Sequence, residues 1–140
     1  MSGATPHPQV EPRGSLGAAV VVAGPQFLAE AEGFCGAMAA QAISVASLPT
    51  AFWNVLAETI EGATPPACWR LCLLGGEALQ SGLVAHWQRH VAQGPRLLNT
   101  YGPTETTVVA SCYEVRRDGR VAIGRALGAT CLSVQRDGHA

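Results

Sequence analysis

Tyr101-Gly102-Pro103-Thr104-Glu105 gathers an aromatic ring, a tight bend, a hydroxyl and a carboxylate into five residues. The run follows an apolar, strand-like stretch (Arg96-Leu97-Leu98-Asn99-Thr100) and precedes another (Val108-Val109-Ala110). In parallel α/β sheets, ligands bind just past the carboxyl ends of strands. A loop of this composition could stack a flat ring on Tyr101 and turn a phosphate toward Thr104. Glu105 could hold a hard cation, because Mg²⁺ prefers oxygen ligands and phosphates. A Gly-Pro turn with a helix-capping Thr and a solvated Glu accounts for the same five residues.

A second glycine-marked turn, Gly75-Gly76-Glu77, closes the apolar run Arg70-Leu71-Cys72-Leu73-Leu74. Two glycines in a row let backbone approach a flat ligand, since no Cβ intervenes. In right-handed βαβ units both turns fall on the same edge of the sheet. Their pairing, more than either alone, points to a site. Glu77 also reads as a first-turn carboxylate stabilised by a helix dipole.

The elements that must position these turns follow from periodicity. Ala18-Ala19-Val20-Val21-Val22 is a continuous β-branched run, the signature of a buried parallel strand. Pro25 then opens a helical pattern in Phe27, Leu28, Ala31, Phe34, Cys35 and Met38. Residues 43–48 read as a strand, and Pro49 starts a second helix with Phe52, Trp53, Leu56 and Ile60 on one face. The strand at 70–74 is followed by a third helix carrying Leu79, Leu83, Val84, Trp87 and Val91, which Gly94-Pro95 ends. Strand and helix thus alternate three times, so the fold class is α/β: a parallel sheet with covering helices. Short β-strands at 107–115 and 130–136 are expected to follow it, joined by a turn at 117–119 and a bend at Ile123-Gly124-Arg125.

At 140 residues the chain holds at most one domain. Hydrophobic residues make up 48% and charged residues 14%, against about a quarter charged in an ordinary soluble domain. That imbalance suggests surface meant to be covered by more protein. The net charge is −1, all basic residues are arginine, and the longest basic run is Arg116-Arg117. Neither nucleic acid nor an anionic membrane is favoured as a partner. Five cysteines, Cys35, Cys68, Cys72, Cys112 and Cys131, lie mostly in apolar runs and read as reduced core thiols. Cys68 and Cys72 lack the second ligand pair of a zinc site. His86 and His90 are four apart, a spacing that can bind metal, but a solvated pair is the simpler reading. Trp53 and Trp87 read as core. Residues 1–17 read as a disordered or non-family leader. Nothing resembles a signal peptide or membrane span, so a cytoplasmic location is expected.

Asn99-Thr100-Tyr101-Gly102-Pro103-Thr104-Glu105 resembles the Asn-x-Tyr-Gly-Pro-Thr-Glu motif of amino-acid adenylation domains in nonribosomal peptide synthetases, within the adenylate-forming superfamily. Ser47-Leu48-Pro49-Thr50-Ala51-Phe52-Trp53, Leu74-Gly75-Gly76-Glu77-Ala78-Leu79 and Ile123-Gly124-Arg125 agree in order and spacing, over residues 18–138. The resemblance implies that residues 18–140 are part of such a domain's large N-terminal subdomain, cut at both ends. It further implies conversion of ATP and an amino acid to aminoacyl-AMP and pyrophosphate. Tyr101 would stack on adenine, and Asn99 would bond its exocyclic amine. Gly75, Gly76 and Gly102 would shape the nucleotide site. Thr104 would contact the α-phosphate and Glu105 would bind Mg²⁺. Ala46, Leu73, Gly75, Thr100, Val108 and Val109 would line a small apolar pocket for the substrate side chain. Implied partners are a phosphopantetheine-bearing carrier domain, as downstream acceptor, and a condensation domain.

The resemblance also marks departures. The family's Ser/Thr/Gly-rich phosphate loop has no counterpart in residues 1–17, and its catalytic lysine has none in a chain without lysine. The family's ribose-binding aspartate would lie past residue 140. The chain alone is therefore expected not to form an adenylate. Two other readings compete: part of an acyl- or aryl-CoA ligase, and a non-catalytic remnant acting as a packing module.

Overall fold

A computed structural model describes residues 10–12, 18–24, 27, 30–106 and 109–134. In chain order its elements are β1 (Val10–Pro12), β2 (Ala19–Val21), α1 (Ala31–Ala40), β3 (Val45–Pro49), α2 (Thr50–Glu58), β4 (Leu71–Gly75), α3 (Ser81–His90), β5 (Arg96–Tyr101), β6 (Ser111–Glu114) and β7 (Arg125–Ala126). A single 3₁₀ turn, Thr104–Thr106, follows β5.

β3, β4 and β5 run parallel in that order, with α2 and α3 as crossovers. The sheet then turns mixed, because β6 pairs antiparallel with β5 and β7 antiparallel with β6. Residues from all three helices share one core cluster with Ala46, Cys72, Leu74 and Leu97 of the strands. Alternation along a strand sends successive side chains to opposite faces. In β4 it buries Cys72 and Leu74 while Leu71 and Leu73 stay half-buried.

Every tryptophan and phenylalanine of the chain joins one network on the helix side. Phe34 meets Phe27, Phe52 and Trp69 with ring centroids 6.1, 5.6 and 5.5 Å away. Trp69 continues to Trp87 at 6.1 Å, and Trp87 to Trp53 at 5.7 Å. Edge-on pairs at such spacings add to the area they bury. Trp53 is fully buried and Trp87 nearly so, as the sequence implies for core residues. The first helix is capped from the second: the Ala31 amide donates to Thr59 Oγ1 at 3.1 Å, and that hydroxyl donates to the Val55 carbonyl at 2.9 Å. A side-chain oxygen thereby satisfies one of the orphan donors of a helix start.

Several expectations are corrected. The run at 18–22 is not a buried parallel strand: β2 pairs antiparallel with β1 in a separate two-stranded ribbon, and Val20 and Val22 are exposed. β-branched residues favour extended backbone without naming its partner. The partner strand β1, Val10–Pro12, lies within the leader. The residue before a proline is biased to extended backbone, which suits Glu11. α1 begins at Ala31 rather than at Pro25, which with Leu28 lies outside the described residues. The expected strand at 130–136 is absent over 130–134, where Val134 is 96% exposed. Among the described residues the last strand is β7 instead, because the left-handed bend at Gly124 (φ 82°) returns the chain to β6 earlier. Among the described residues, no helix is long and apolar enough to cross a membrane.

Candidate functional site

β4 and β5 end side by side, and their ends are tied together. Thr100 Oγ1 donates to the Leu74 carbonyl at 2.7 Å. From the other side Thr50, fully buried at the start of α2, donates to the Gly75 carbonyl at 3.2 Å. Gly75 must be glycine for a steric reason: a Cβ there would lie 2.5 Å from Thr100 Oγ1. Gly76 takes φ 94°, a left-handed turn that glycine adopts without penalty.

The two turns share one cavity of about 290 Å³, lined by Gly76, Glu77, Ala78, Asn99, Thr100, Tyr101 and Ile123. Ligand pockets start at about 300 Å³, so this volume suits a flat ring better than a whole nucleotide. Tyr101 is 47% exposed, which leaves its ring free to stack. Asn99 is buried, and its Nδ2 donates to the Ala122 carbonyl at 2.8 Å. The Tyr101 carbonyl accepts from the Ala110 amide at 2.9 Å, which closes the base of the intervening loop.

Thr104 and Glu105 follow on the exposed 3₁₀ turn and do not line that cavity. Thr106, not Thr104, makes the local hydroxyl bond, donating to the Pro103 carbonyl at 2.9 Å. Gly102 is half-buried. Among the described residues no three His, Cys, Asp or Glu side chains gather into a metal nest. A single exposed carboxylate such as Glu105 still suits Mg²⁺ that arrives on a nucleotide, since that ion keeps waters and takes phosphate oxygens as ligands.

The residues expected to line a side-chain pocket divide between the two faces. Leu73, Gly75 and Thr100 share the face away from the helices, as the alternation and register of β4 and β5 require. Ala46 does not join them. It pairs with Cys72 and is buried in the helix-side core, so Ser47, opposite Leu73, occupies the corresponding position on the far face. Spacing along one strand does not reveal which face a neighbouring strand presents. Val109 is half-buried, and Val108 lies outside the described residues.

Glu77 is not in the first turn of α3, which starts at Ser81; it lines the cavity instead. Ile123 and Ala122 are site residues that the motif reading missed as such. Their contacts come from a segment more than twenty residues beyond Asn99, and the Ile123-Gly124-Arg125 signal marked only a bend. His86 and His90 stack with ring centroids 4.5 Å apart. Cys35 and Cys72 are buried, and burial pushes the Cys35 thiol up to about 11 and Cys72 further still. Cys131, by contrast, is exposed, against the reading of core thiols.

Comparison with known proteins bears on this geometry. An isonitrile lipopeptide synthase of Streptomyces coeruleorubidus is 40% identical over 124 residues, which is 84% of this chain and 8% of that protein. The syringomycin synthase SyrB1 of Pseudomonas syringae pv. syringae is 42% identical over 72 residues, 51% of this chain and 12% of its own length. Among solved structures, PA1221, a nonribosomal peptide synthetase protein with adenylation and carrier domains, superposes with TM-score 0.58 at 25% identity, over 74% of this chain and 20% of that one. The four-domain synthetase AB3403, bound to AMP and glycine, gives 0.56 at 28% identity, over 70% of this chain and 7% of that one. The chain thus spans a small fraction of the length of these relatives. The family of AMP-binding enzymes matches residues 14–138, nearly the whole sequence, and this chain belongs to that family.

Proposed function

We propose that this chain forms the nucleotide-holding part of an amino-acid adenylation site of a nonribosomal peptide synthetase. The observation that carries the reading is the cavity shared by Gly76-Glu77-Ala78 and Asn99-Thr100-Tyr101 at the carboxyl ends of two parallel strands. Adenine fits this cavity as a flat ring with an exocyclic amine: Tyr101 stacks on its face and Asn99 accepts from the amine. Gly75 and Gly76 let backbone approach the ring. The relatives support the same reading, since AB3403 was solved with AMP and glycine.

In this reading Thr104 would donate to a nucleotide phosphate, and Glu105 would hold Mg²⁺ through a carboxylate oxygen. When bound, that ion neutralises charge on the phosphates, and positioning with charge stabilisation is the core of such chemistry. Leu73, Gly75, Thr100 and Val109, joined by Ser47, offer a small and mostly apolar wall for an amino-acid side chain. The aminoacyl group is then taken up by a phosphopantetheine-bearing carrier domain, as the adenylation–carrier pairing in PA1221 suggests. The 140-residue chain is proposed to hold nucleotide without turning it over, because it has no lysine to stabilise the charge that develops as the adenylyl group is transferred and pyrophosphate leaves.

Calorimetry of the purified chain with AMP and Mg²⁺ tests the reading. Saturable heat at up to millimolar AMP is expected, and no heat over that range refutes it. Amino-acid-dependent exchange of pyrophosphate into ATP by the same chain would refute the claim that it is incompetent alone.

A further inference from the structure

Three consecutive residues, Ala122 to Gly124, are fastened to the sheet more firmly than a surface bend requires. Asn99 Nδ2 donates to the Ala122 carbonyl at 2.8 Å. Ser111, fully buried on β6, donates from Oγ to the Ile123 carbonyl at 2.6 Å. Gly124, at φ 82°, packs so tightly on β6 that a Cβ would overlap the Cys112 carbonyl. The Ile123 side chain, half exposed, lines the same cavity as Asn99 and Tyr101.

This fastening has a chemical consequence at Asn99. A side-chain amide has a donor edge and an acceptor edge. The Ala122 carbonyl takes one of the two Nδ2 protons and so fixes which way round the amide sits, with Oδ1 available as an acceptor to the cavity that Asn99 lines. An acceptor there welcomes the exocyclic amine of a 6-aminopurine and opposes the carbonyl of a 6-oxopurine. Were the Ala122–Ile123 backbone to drift, the amide could turn over and present Nδ2 instead.

We infer that Ser111 is a positioning residue: by holding the Ala122–Ile123 backbone, it locks the Asn99 amide in the orientation that selects 6-aminopurines over 6-oxopurines. Ser111 touches no ligand; it acts through the backbone and Asn99. The inference rests on the nucleotide reading proposed above.

The test is the ratio of AMP to IMP affinity, measured by calorimetry on the full 140-residue chain and on Ser111→Ala. The wild-type chain is expected to prefer AMP by about tenfold or more, the scale of leaving one buried polar group unpaired. Ser111→Ala is expected to bring the two affinities within about threefold. A variant that loses both affinities by the same factor, or neither, makes Ser111 a purely structural residue and overturns the inference. A wild-type chain that binds AMP and IMP equally overturns it while leaving the nucleotide reading standing; one that binds neither sinks both. If Ser111→Ala does not fold, Ser111→Cys, which keeps a side chain there but donates only weakly, is used instead, and the ratio is read in the same way.

Discussion

Gly75→Ala is the substitution whose cost follows most directly from the geometry. The new Cβ would lie 2.5 Å from Thr100 Oγ1 and 3.2 Å from the Thr100 carbonyl oxygen, both closer than ordinary contact. The hydroxyl cannot retreat freely, because it donates to the Leu74 carbonyl at 2.7 Å. Turning it away gives up a hydrogen bond, at about 1 kcal/mol. Keeping it forces β4 and β5 apart, and such overpacking costs about 1–3 kcal/mol. Gly75→Ala should therefore destabilise the chain by about 1–3 kcal/mol, read from urea unfolding at constant m. Thr100→Ala alone should cost about 1 kcal/mol through the lost bond. Adding Gly75→Ala to it should then cost clearly less than in the wild-type chain, because the nearer obstacle is gone. The double-mutant cycle should show a coupling of about 1 kcal/mol or more, well above the ~0.5 kcal/mol within which independent sites add. Additive effects would refute the claim that the Gly75–Thr100 contact sets the spacing of the two strand ends.

Other consequences are checked separately. Trp53→Ala, at the fully buried centre of the aromatic network, should cost about 3–5 kcal/mol, whereas exposed Val55→Ala should stay within about 0.5 kcal/mol in the same denaturation assay. Tyr101→Ala should weaken AMP binding by about 1–3 kcal/mol, the worth of one base–aromatic stack, while leaving the melting temperature nearly unchanged because the ring is half exposed. Burial raises the Cys35 thiol from 9.0 to about 11, so the folded state holds that proton more tightly than the unfolded one. The contribution is fully present below about pH 9 and is lost as the pH climbs toward 11. Urea midpoints measured from pH 8 to 11 should fall across that window, and Cys35→Ala should lessen the fall, with buried Cys72 sustaining the remainder. Exposed Cys131 should react with a thiol reagent at neutral pH far faster than buried Cys35 and Cys72.

Much of the central fold was legible because its signals are local. Apolar periodicity located β3, β4, β5 and the bodies of α2 and α3, and the glycine-marked turns fixed where the strands end. Partnership is not local, and there the sequence was mute. The Val20-Val21-Val22 run specified extended backbone, yet whether it joined the central sheet or a separate ribbon depended on what lay beside it. Ala46 and Ser47 are adjacent in sequence, and only the register with Cys72 and Leu73 decides which of them faces the helices. Glu77 preceded a helical pattern, but the helix started four residues later. For the site, the motif named Asn99 and Tyr101; it could not show that Asn99 reaches Ala122, since a hydrogen bond across 23 residues leaves no periodic trace.

The central claim is that the two turns enclose a purine site, and backbone amide shifts during an AMP titration test it most directly. Shifts concentrated at Gly76, Glu77, Asn99, Thr100, Tyr101 and Ile123, with α1 quiet, are the predicted result. Shifts that leave these residues unmoved and cluster instead around the depression lined by Tyr113, Arg116 and Arg120 would contradict the account.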